Sequence, residues 1–400
     1  MEELLNIGII GLGGRGLNLL EVCVLPRKNI KVLAVCDLYE DRRLAAAESV
    51  VKAGQPRPLV CADYRQVLDQ EIDAVLITTG WTPHIDLACE AMYAGKYVAC
   101  EVGASYSIED CWRLVRVHED TGTHCMMLEN CCYGRYELMV LNMVRQGLFG
   151  EVVHCQGGYR HDLRDEVAHG RENRHYRFNN YLHRNCENYP THELGPIAQV
   201  LNINRGNRLL TLNSVSSKAA GLREYLVAEQ GPNGKDAGLK FAQGDVVTTI
   251  IKCAHGETIS LTLDTTLPRY YSRGFQVQGT RAMFCEDNRT LFLDGEHNKF
   301  EFRSRELWGN AETYLNRYEH PIWQEYLKAG IKGGHDGMDW LEFDAFFQAV
   351  IDNTPAPIDV YDMATWMSVS ALSEASIAQA GAPVSFPDFT NGKWISRKPL

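Results

Sequence analysis

No CxxC pair occurs anywhere in the chain, although 13 cysteines are scattered from Cys23 to Cys285, with Cys131 and Cys132 adjacent. An odd number of cysteines without metal-ligand spacing indicates neither a disulfide framework nor a zinc centre. Low-complexity tracts, internal repeats and Pro/Gly-rich linkers are also missing, which argues against disorder outside the termini. No apolar run approaches the roughly 20 residues that span a bilayer. Positive charge is in short supply. The formal net charge of -11 repels nucleic acid and anionic membranes alike, so neither is an expected partner, although a small basic site stays open. Met1 to Asn6 carries two acidic residues and leads straight into a strand, whereas a secretory signal begins with a basic segment and an apolar stretch. A reducing, cytoplasmic location is expected.

What the chain does have is enough apolar material, 45% of 400 residues, to fill two domain cores. Strand-like runs at Leu5 to Ile10, Val32 to Cys36, Ala74 to Thr78, Tyr97 to Cys100 and Cys125 to Leu128 alternate with helical patterns. Such alternation predicts a doubly wound parallel sheet. After Gly150 the rhythm changes to long alternating stretches at Val246 to Cys253, Thr258 to Leu263 and Gly274 to Gly279, with helices near Thr191 to Asn202 and Met338 to Ile351. The expected fold is α/β: a Rossmann domain over 1–130, then an α+β domain over 131–400 with a large, mainly antiparallel, open-faced sheet. An exposed sheet face of that kind commonly pairs with another copy.

Gly11-Leu12-Gly13-Gly14-Arg15-Gly16 follows the first strand and opens the first helix. Gly11, Gly13 and Gly16 allow a tight turn and close approach of a pyrophosphate to free N-H groups. On its own this pattern fits any glycine turn. Asp37, closing the second strand about 20 residues further on, adds a carboxylate suited to a ribose 2'-OH, and favours NAD over its 2'-phosphorylated form. Trp81, Thr82, Pro83 and His84 follow the fourth strand, where an open sheet binds its ligand. They read equally as a cofactor-facing turn and as a helix-capping loop with a packed indole. Glu101 and Asn130 sit beyond the fifth and sixth strands.

Residues 1 to 160 resemble the superfamily of glucose-fructose oxidoreductase, inositol dehydrogenase and rhizopine-catabolism proteins. Its dehydrogenase members carry Glu-Lys-Pro after the fifth strand, with the lysine aiding proton transfer; here the run is Glu101-Val102-Gly103. Valine neither donates nor accepts a proton. Further segments are similar to one branch, glycoside hydrolase family 109, the NAD-dependent alpha-N-acetylgalactosaminidases. They are Met127-Leu128-Glu129-Asn130, Gly157-Gly158-Tyr159-Arg160-His161-Asp162-Leu163-Arg164, Tyr189-Pro190-Thr191-His192, Asn204-Arg205-Gly206-Asn207-Arg208, Gly337-Met338-Asp339 and Asp388-Phe389-Thr390-Asn391-Gly392-Lys393-Trp394.

The resemblance implies NAD as cofactor, contacted by Arg15, Gly16, Asp37, Trp81 to His84, Glu101, Val102 and Asn130, with Tyr189 touching cofactor and sugar. It implies a small glycoside as substrate, met by Tyr159, Arg177, Tyr189, Pro190, Thr191, His192 and Tyr271. Tyr159 and His192 would move protons, with Glu129 and Tyr271 in support. The implied route is transient oxidation at sugar C3, loss of the C2 proton, expulsion of the aglycone, addition of water and re-reduction. A net sugar or inositol dehydrogenase, and a non-enzymatic sugar sensor, are the alternatives.

Direct glycosidic displacement relies on two carboxylates, whereas these positions offer tyrosine and histidine. A tyrosine, with a reference pKa near 10, needs a positive neighbour to act as base at neutral pH. Arg177 fits that role better than Arg160, because neighbours on a strand face opposite ways. His161-Asp162 reads as structural or substrate-loop polarity rather than a metal pair, since no third ligand is suitably spaced. Cys131-Cys132 reads as buried packing. Residues 165 to 188, rich in Arg, His, Asn and Tyr, read as a polar loop arching over the substrate.

Overall fold

The computed structural model describes residues 4–297 and 303–399, which form two compact units. The first unit comprises residues 1–133 and 322–364, and the second residues 134–321 and 365–400.

In the first unit, β1 (Leu5–Ile10), β2 (Ile30–Cys36), β3 (Leu59–Cys61), β4 (Ala74–Ile77), β5 (Tyr97–Glu101) and β6 (Cys125–Leu128) form a parallel sheet in the order β3-β2-β1-β4-β5-β6. The order reverses beside β1, the switch point where doubly wound sheets hold ligands. Buried runs such as Ala74–Ile77 and Tyr97–Glu101 are apolar nearly throughout because helices cover both faces of such a sheet. Register aligns Ile10 with Cys36 and Ile77, and Ile77 with Cys100. The carboxyl ends of these strands therefore share one edge of the sheet.

Sequence periodicity assigns residues 322–364 to the second domain, yet they pack in the first unit. The reason lies at the β6 edge. There the Met127 amide donates to Ile358 O at 3.1 Å, the Tyr97 hydroxyl donates to Thr354 O at 2.9 Å, and Trp323 Nε1 donates to Tyr133 O at 2.8 Å. Phe343, Phe346 and Phe347, on the helix Met338–Asp352, are buried. A sheet edge with open N-H and C=O groups gains from such a cover. Periodicity locates the helix but carries no signal of which core receives it.

The second unit is built on β7 (Val152–Gly157), β8 (Leu209–Ser216), β9 (Val246–Cys253), β10 (Thr258–Asp264), β11 (Gln276–Gly279), β12 (Ala282–Cys285), β13 (Thr290–Leu293) and β14 (Val384–Ser385). Their order is β13-β12-β11-β7-β10-β9-β8-β14, antiparallel except for the central β7-β10 pair. Side chains alternate along β9 and β10, with Val247, Thr249, Ile251, Ile259, Leu261 and Leu263 buried on one face. The other face leaves Val215 and Ile250 exposed. The helix Thr191–Val200 lies on the buried side, where Gly157 lets it come close: a Cβ there would run into Glu193 and sit 3.4 Å from Ile197 Cδ1.

Residues 165–188 are more structured than their polarity predicts. They hold two short helices, Arg164–Ala168 and Arg177–His183, with Phe178 and Tyr181 buried. The Tyr181 hydroxyl pairs with Thr265 Oγ1 at 2.8 Å. Two aromatic anchors in a polar stretch are enough to dock it.

Candidate functional site

Two clusters of sequence-predicted residues form, one in each unit. In the first unit, Gly11 leaves β1 with φ 96°, and a Cβ there would stand 2.6 Å from the Thr79 amide nitrogen. No residue with a side chain fits that turn. Gly14 is the opposite case. It is exposed, with nothing within 4 Å of where its Cβ would be. The turn thus packs tightly beneath and stands open above, where a helical run beginning at Gly14 presents unbonded N-H groups. Asp37 accepts from the Leu12 amide at 2.7 Å and the Tyr39 amide at 2.9 Å, which fixes its carboxylate beside the turn with lone pairs to spare. A buried-below, open-above glycine turn with a pinned carboxylate fits a dinucleotide's pyrophosphate and ribose.

Trp81 is buried and Thr82 exposed, while His84 begins the helix His84–Tyr93 fully buried. Its Nε2 lies 3.0 Å from Thr79 O, closing the Trp81–His84 turn. Burial pushes this imidazole down to about 4 against the raising effect of that carbonyl, so it is neutral. Val102, next to Glu101 in sequence, is buried, and Glu129 is buried with Oε1 accepting from the Cys131 amide at 3.1 Å.

Arg15 does not point along the glycine turn. Its Nε donates to Glu101 at 2.7 Å, and its terminal nitrogens grip Asp339 at 2.8 and 3.0 Å. Asn130 donates to the same Asp339 carboxylate at 2.7 Å, and His335 Nδ1 lies 2.8 Å from it. Burial opposes the charge on Asp339, but the bonds from His335 and Arg15 outweigh it and hold the group well below the usual carboxylate range. Asp339 therefore ties together Arg15, Asn130 and, through Arg15, Glu101. The sequence singled out its motif without a role for it. Behind it, Glu342 is fully buried and pushed well above the usual range by burial, then by Glu101 and Asp339. Cys131 and Cys132 are buried in the turn after β6, and burial raises the Cys132 thiol further.

In the second unit, backbone bonds carry β7 onward past its end. Asp264 N donates to Tyr159 O at 3.0 Å, His161 N to Asp264 O at 2.9 Å and Arg160 N to Ser272 O at 3.1 Å. Tyr159 and His161 consequently share a face, while Arg160 turns the other way toward Asp287, 3.6 Å off. The Tyr159 ring lies 4.3 Å from Tyr189, 5.5 Å from His192 and 6.3 Å from Tyr271. His192 is the second residue of its helix, directly after Tyr189, Pro190 and Thr191, all three buried. The sequence-predicted sugar positions Tyr159, Arg177, Tyr189, His192 and Tyr271 thus converge.

Arg177 is buried, with its guanidinium 5.3 Å from the Tyr189 ring and bonded to Glu166. It opposes the shift of Tyr159 as expected, but burial is the larger effect and leaves the phenol above its ordinary value. Charge proximity alone therefore does not make this tyrosine a phenolate. Its hydroxyl instead meets His161 Nδ1 at 3.0 Å. Burial, then Arg177, pushes His161 below the ordinary imidazole value. Reading His161 as loop polarity missed this contact, although the i, i+2 spacing from Tyr159 held the signal. Asp162 is turned away, gripped by Arg164 at 2.8 and 2.7 Å. Beneath Tyr189, Glu187 is buried and pushed up to about 8 by burial, with the Tyr189 amide opposing.

Residues 133–396 match the family model for the C-terminal domain of glycosyl hydrolase 109, and residues 5–129 match that for an oxidoreductase family with an NAD-binding Rossmann fold. A glycosyl hydrolase family 109 protein of Stenotrophomonas maltophilia (strain K279a) is 40% identical over 99% of this chain and 91% of its own. An alpha-N-acetylgalactosaminidase of Tannerella forsythia is 38% identical over 100% and 89%. Among solved structures, levoglucosan dehydrogenase in complex with NADH and levoglucosan superposes with a TM-score of 0.70 at 18% identity, over 96% of this chain and 100% of that one. An inositol dehydrogenase homolog from Azotobacter vinelandii, with NADH and myo-inositol, gives 0.68 at 15%, over 96% and 98%. At such identities the likeness is one of fold. Among the described residues, no helix is long and apolar enough to cross a membrane.

Proposed function

Because the chain belongs to the glycosyl hydrolase 109 family, as a glycoside hydrolase with an NAD-binding Rossmann domain, we propose that it releases terminal alpha-linked N-acetylgalactosamine, or a closely related sugar, from small glycosides. The observation that carries this reading is the character of the second unit's cluster. Tyrosine, histidine and arginine converge there, and two of the nearby carboxylates, Glu166 and Asp162, are each engaged by an arginine. Displacement at an anomeric carbon needs a free acid and a free base or nucleophile, and those two carboxylates are committed elsewhere.

Gly11, Gly13, Gly16, Asp37, the Trp81–His84 turn, Glu101 and Asn130 would hold the dinucleotide, with Arg15 fixing Glu101 and Asp339 fixing Arg15 and Asn130. When bound, NAD supplies reversible oxidation at a sugar carbon, which acidifies the C-H next to the resulting ketone. His192 takes the hydroxyl proton at O3, and Tyr159 takes the proton at C2. Loss of that proton expels the aglycone, and water adds where it left. Arg177, held by Glu166, orients sugar oxygens. Valine at position 102 offers no acid or base for a net dehydrogenase.

Turnover of nitrophenyl glycosides in D2O tests the route. Deuterium at C2 of the released sugar, without accumulation of NADH, is expected. Stoichiometric NADH means a dehydrogenase, and hydrolysis without deuterium at C2 rejects the elimination. His192→Ala and Tyr159→Phe should each slow turnover about 10²–10⁴-fold with NAD still bound. The exposed sheet face around Val215 and Ile250 is proposed to seat a second copy of the chain, and Ile250→Lys should shift the sedimentation coefficient toward the monomer.

A further inference from the structure

Tyr159 sits in surroundings that work against a tyrosine base. It is buried beneath Tyr189 and His192, and even with Arg177 close by its phenol stays protonated well beyond neutral pH. A phenol in that state takes up a proton from carbon only if its own proton leaves in the same event. Among the described residues, the partner of the Tyr159 hydroxyl at bonding distance is the Nδ1 of His161, at 3.0 Å.

We propose that His161 is the positioning residue of this site: it holds the hydrogen of the Tyr159 hydroxyl and receives it when Tyr159 takes the C2 proton of the sugar. The inference rests on the glycosidase reading above. The proton count closes. The C2-H bond breaks and an O-H bond forms on Tyr159, while the former Tyr159 O-H breaks and an N-H forms on His161. The electron pair of the C-H bond remains on the sugar and expels the aglycone as its oxyanion, which is neutralised by the proton that water gives up on adding at C1. The same two protons then run back, so that Tyr159 protonates C2 as water adds at C1.

Three features make His161 fit to receive a proton. Backbone bonds on both sides of it, His161 N to Asp264 O and Leu163 N to Thr265 O, fix it on the face it shares with Tyr159. The Tyr271 ring stands edge-on at 5.0 Å and limits rotation of the imidazole. The groups facing it are Tyr159, Tyr271, Arg177, Glu166, Asp162 and His192, in which the carboxylates are tied to arginines. Burial, then Arg177, pushes His161 below the ordinary value, which favours the neutral form of the ring, the form able to take up a proton.

The test uses the full chain with NAD bound. His161→Gln keeps a hydrogen-bond acceptor near Tyr159 but cannot become a cation. Its kcat should fall about 10²-fold with KM and NAD affinity near wild type, and the acid limb of the kcat profile should disappear. That limb should lie below the ordinary histidine pKa of about 6.5. Wild-type rate, an unchanged acid limb, or a loss accompanied by a lower melting temperature overturns the inference. A second measurement needs no substrate. In ¹⁵N spectra of histidine-labelled protein, Nδ1 of His161 should be the unprotonated nitrogen and should shift on Tyr159→Phe; a proton resident on Nδ1 in the neutral ring overturns the proposal. A wild type that releases no sugar sinks the glycosidase reading instead, and leaves the spectra to decide the pairing.

Discussion

The two units prepare a ligand site in different materials. In the first, the working surface is backbone. A glycine turn with φ 96° at Gly11 and open space at Gly14 faces outward, and the charged side chains Arg15, Glu101 and Asp339 are locked to one another beneath. In the second, the working surface is side chain. Tyr159, Tyr189, His192, Tyr271 and Arg177 stand together, and the hydrogen-bond partner of the Tyr159 hydroxyl among the described residues is His161. The difference suits the function proposed above: a nucleotide held throughout turnover would need fixed dipoles, whereas a sugar that gives up and regains protons would need groups that titrate.

The largest expected effect bears on the locked charges. Asp339→Ala removes one of the two carboxylates that hold the half-buried Arg15 and should destabilise the protein by about 3 kcal/mol, visible in urea denaturation, along with weaker NAD binding. Because its folded-state pKa is depressed, the stability from Asp339 is complete above the ordinary carboxylate value of about 4 and fades as pH falls below it. The variant should therefore have a flatter acid limb. If Asp339→Ala melts like wild type, the contrast between a locked and a titrating cluster fails.

The next effect isolates the cradle. Gly14→Ala should leave the melting temperature of the unliganded protein unchanged, since nothing lies within 4 Å of the added Cβ, but raise the Kd for NAD about 10-fold, or ~1.4 kcal/mol. Unchanged titration calorimetry would mean that the pyrophosphate lies elsewhere. The smallest effect lies in the second unit. Glu187, pushed from 4.5 to about 8, favours its protonated form in the fold, so its contribution is full below pH 4.5 and is lost as pH rises toward 8. Glu187→Gln should flatten that decline in a series of thermal melts between pH 5 and 8, with the gain largest at the alkaline end.

The same contrast explains what could be read from the amino acids. The glycine turn, Asp37 and the strand rhythm of the first unit are local patterns, and β1 and β6 fall on the residues that periodicity assigns them. Asp339 escaped because its partners Arg15, Glu101 and Asn130 are more than two hundred positions away along the chain, and no period connects them. Tyr159 and His192 were legible through resemblance, not through pattern. Their convergence depends on β7 continuing past Gly157 as paired backbone, which the Gly157-Gly158 step conceals from strand periodicity. Leu59–Cys61 was missed as a strand because three residues are too few to show alternation. His161 was the recoverable omission.

The excursion of residues 322–364 back to the first unit sets a schedule for synthesis. A nascent chain that has emerged as far as Tyr133 owns all six strands of the parallel sheet, yet β6 has no cover and Arg15 and Glu101 have not met Asp339. Domains generally fold as they leave the ribosome, but this one must wait, its edge bare, while seven of the eight strands of the second sheet are translated. A chaperone that shields the β6 edge during that interval would act at the moment when the polypeptide is most exposed to misassembly.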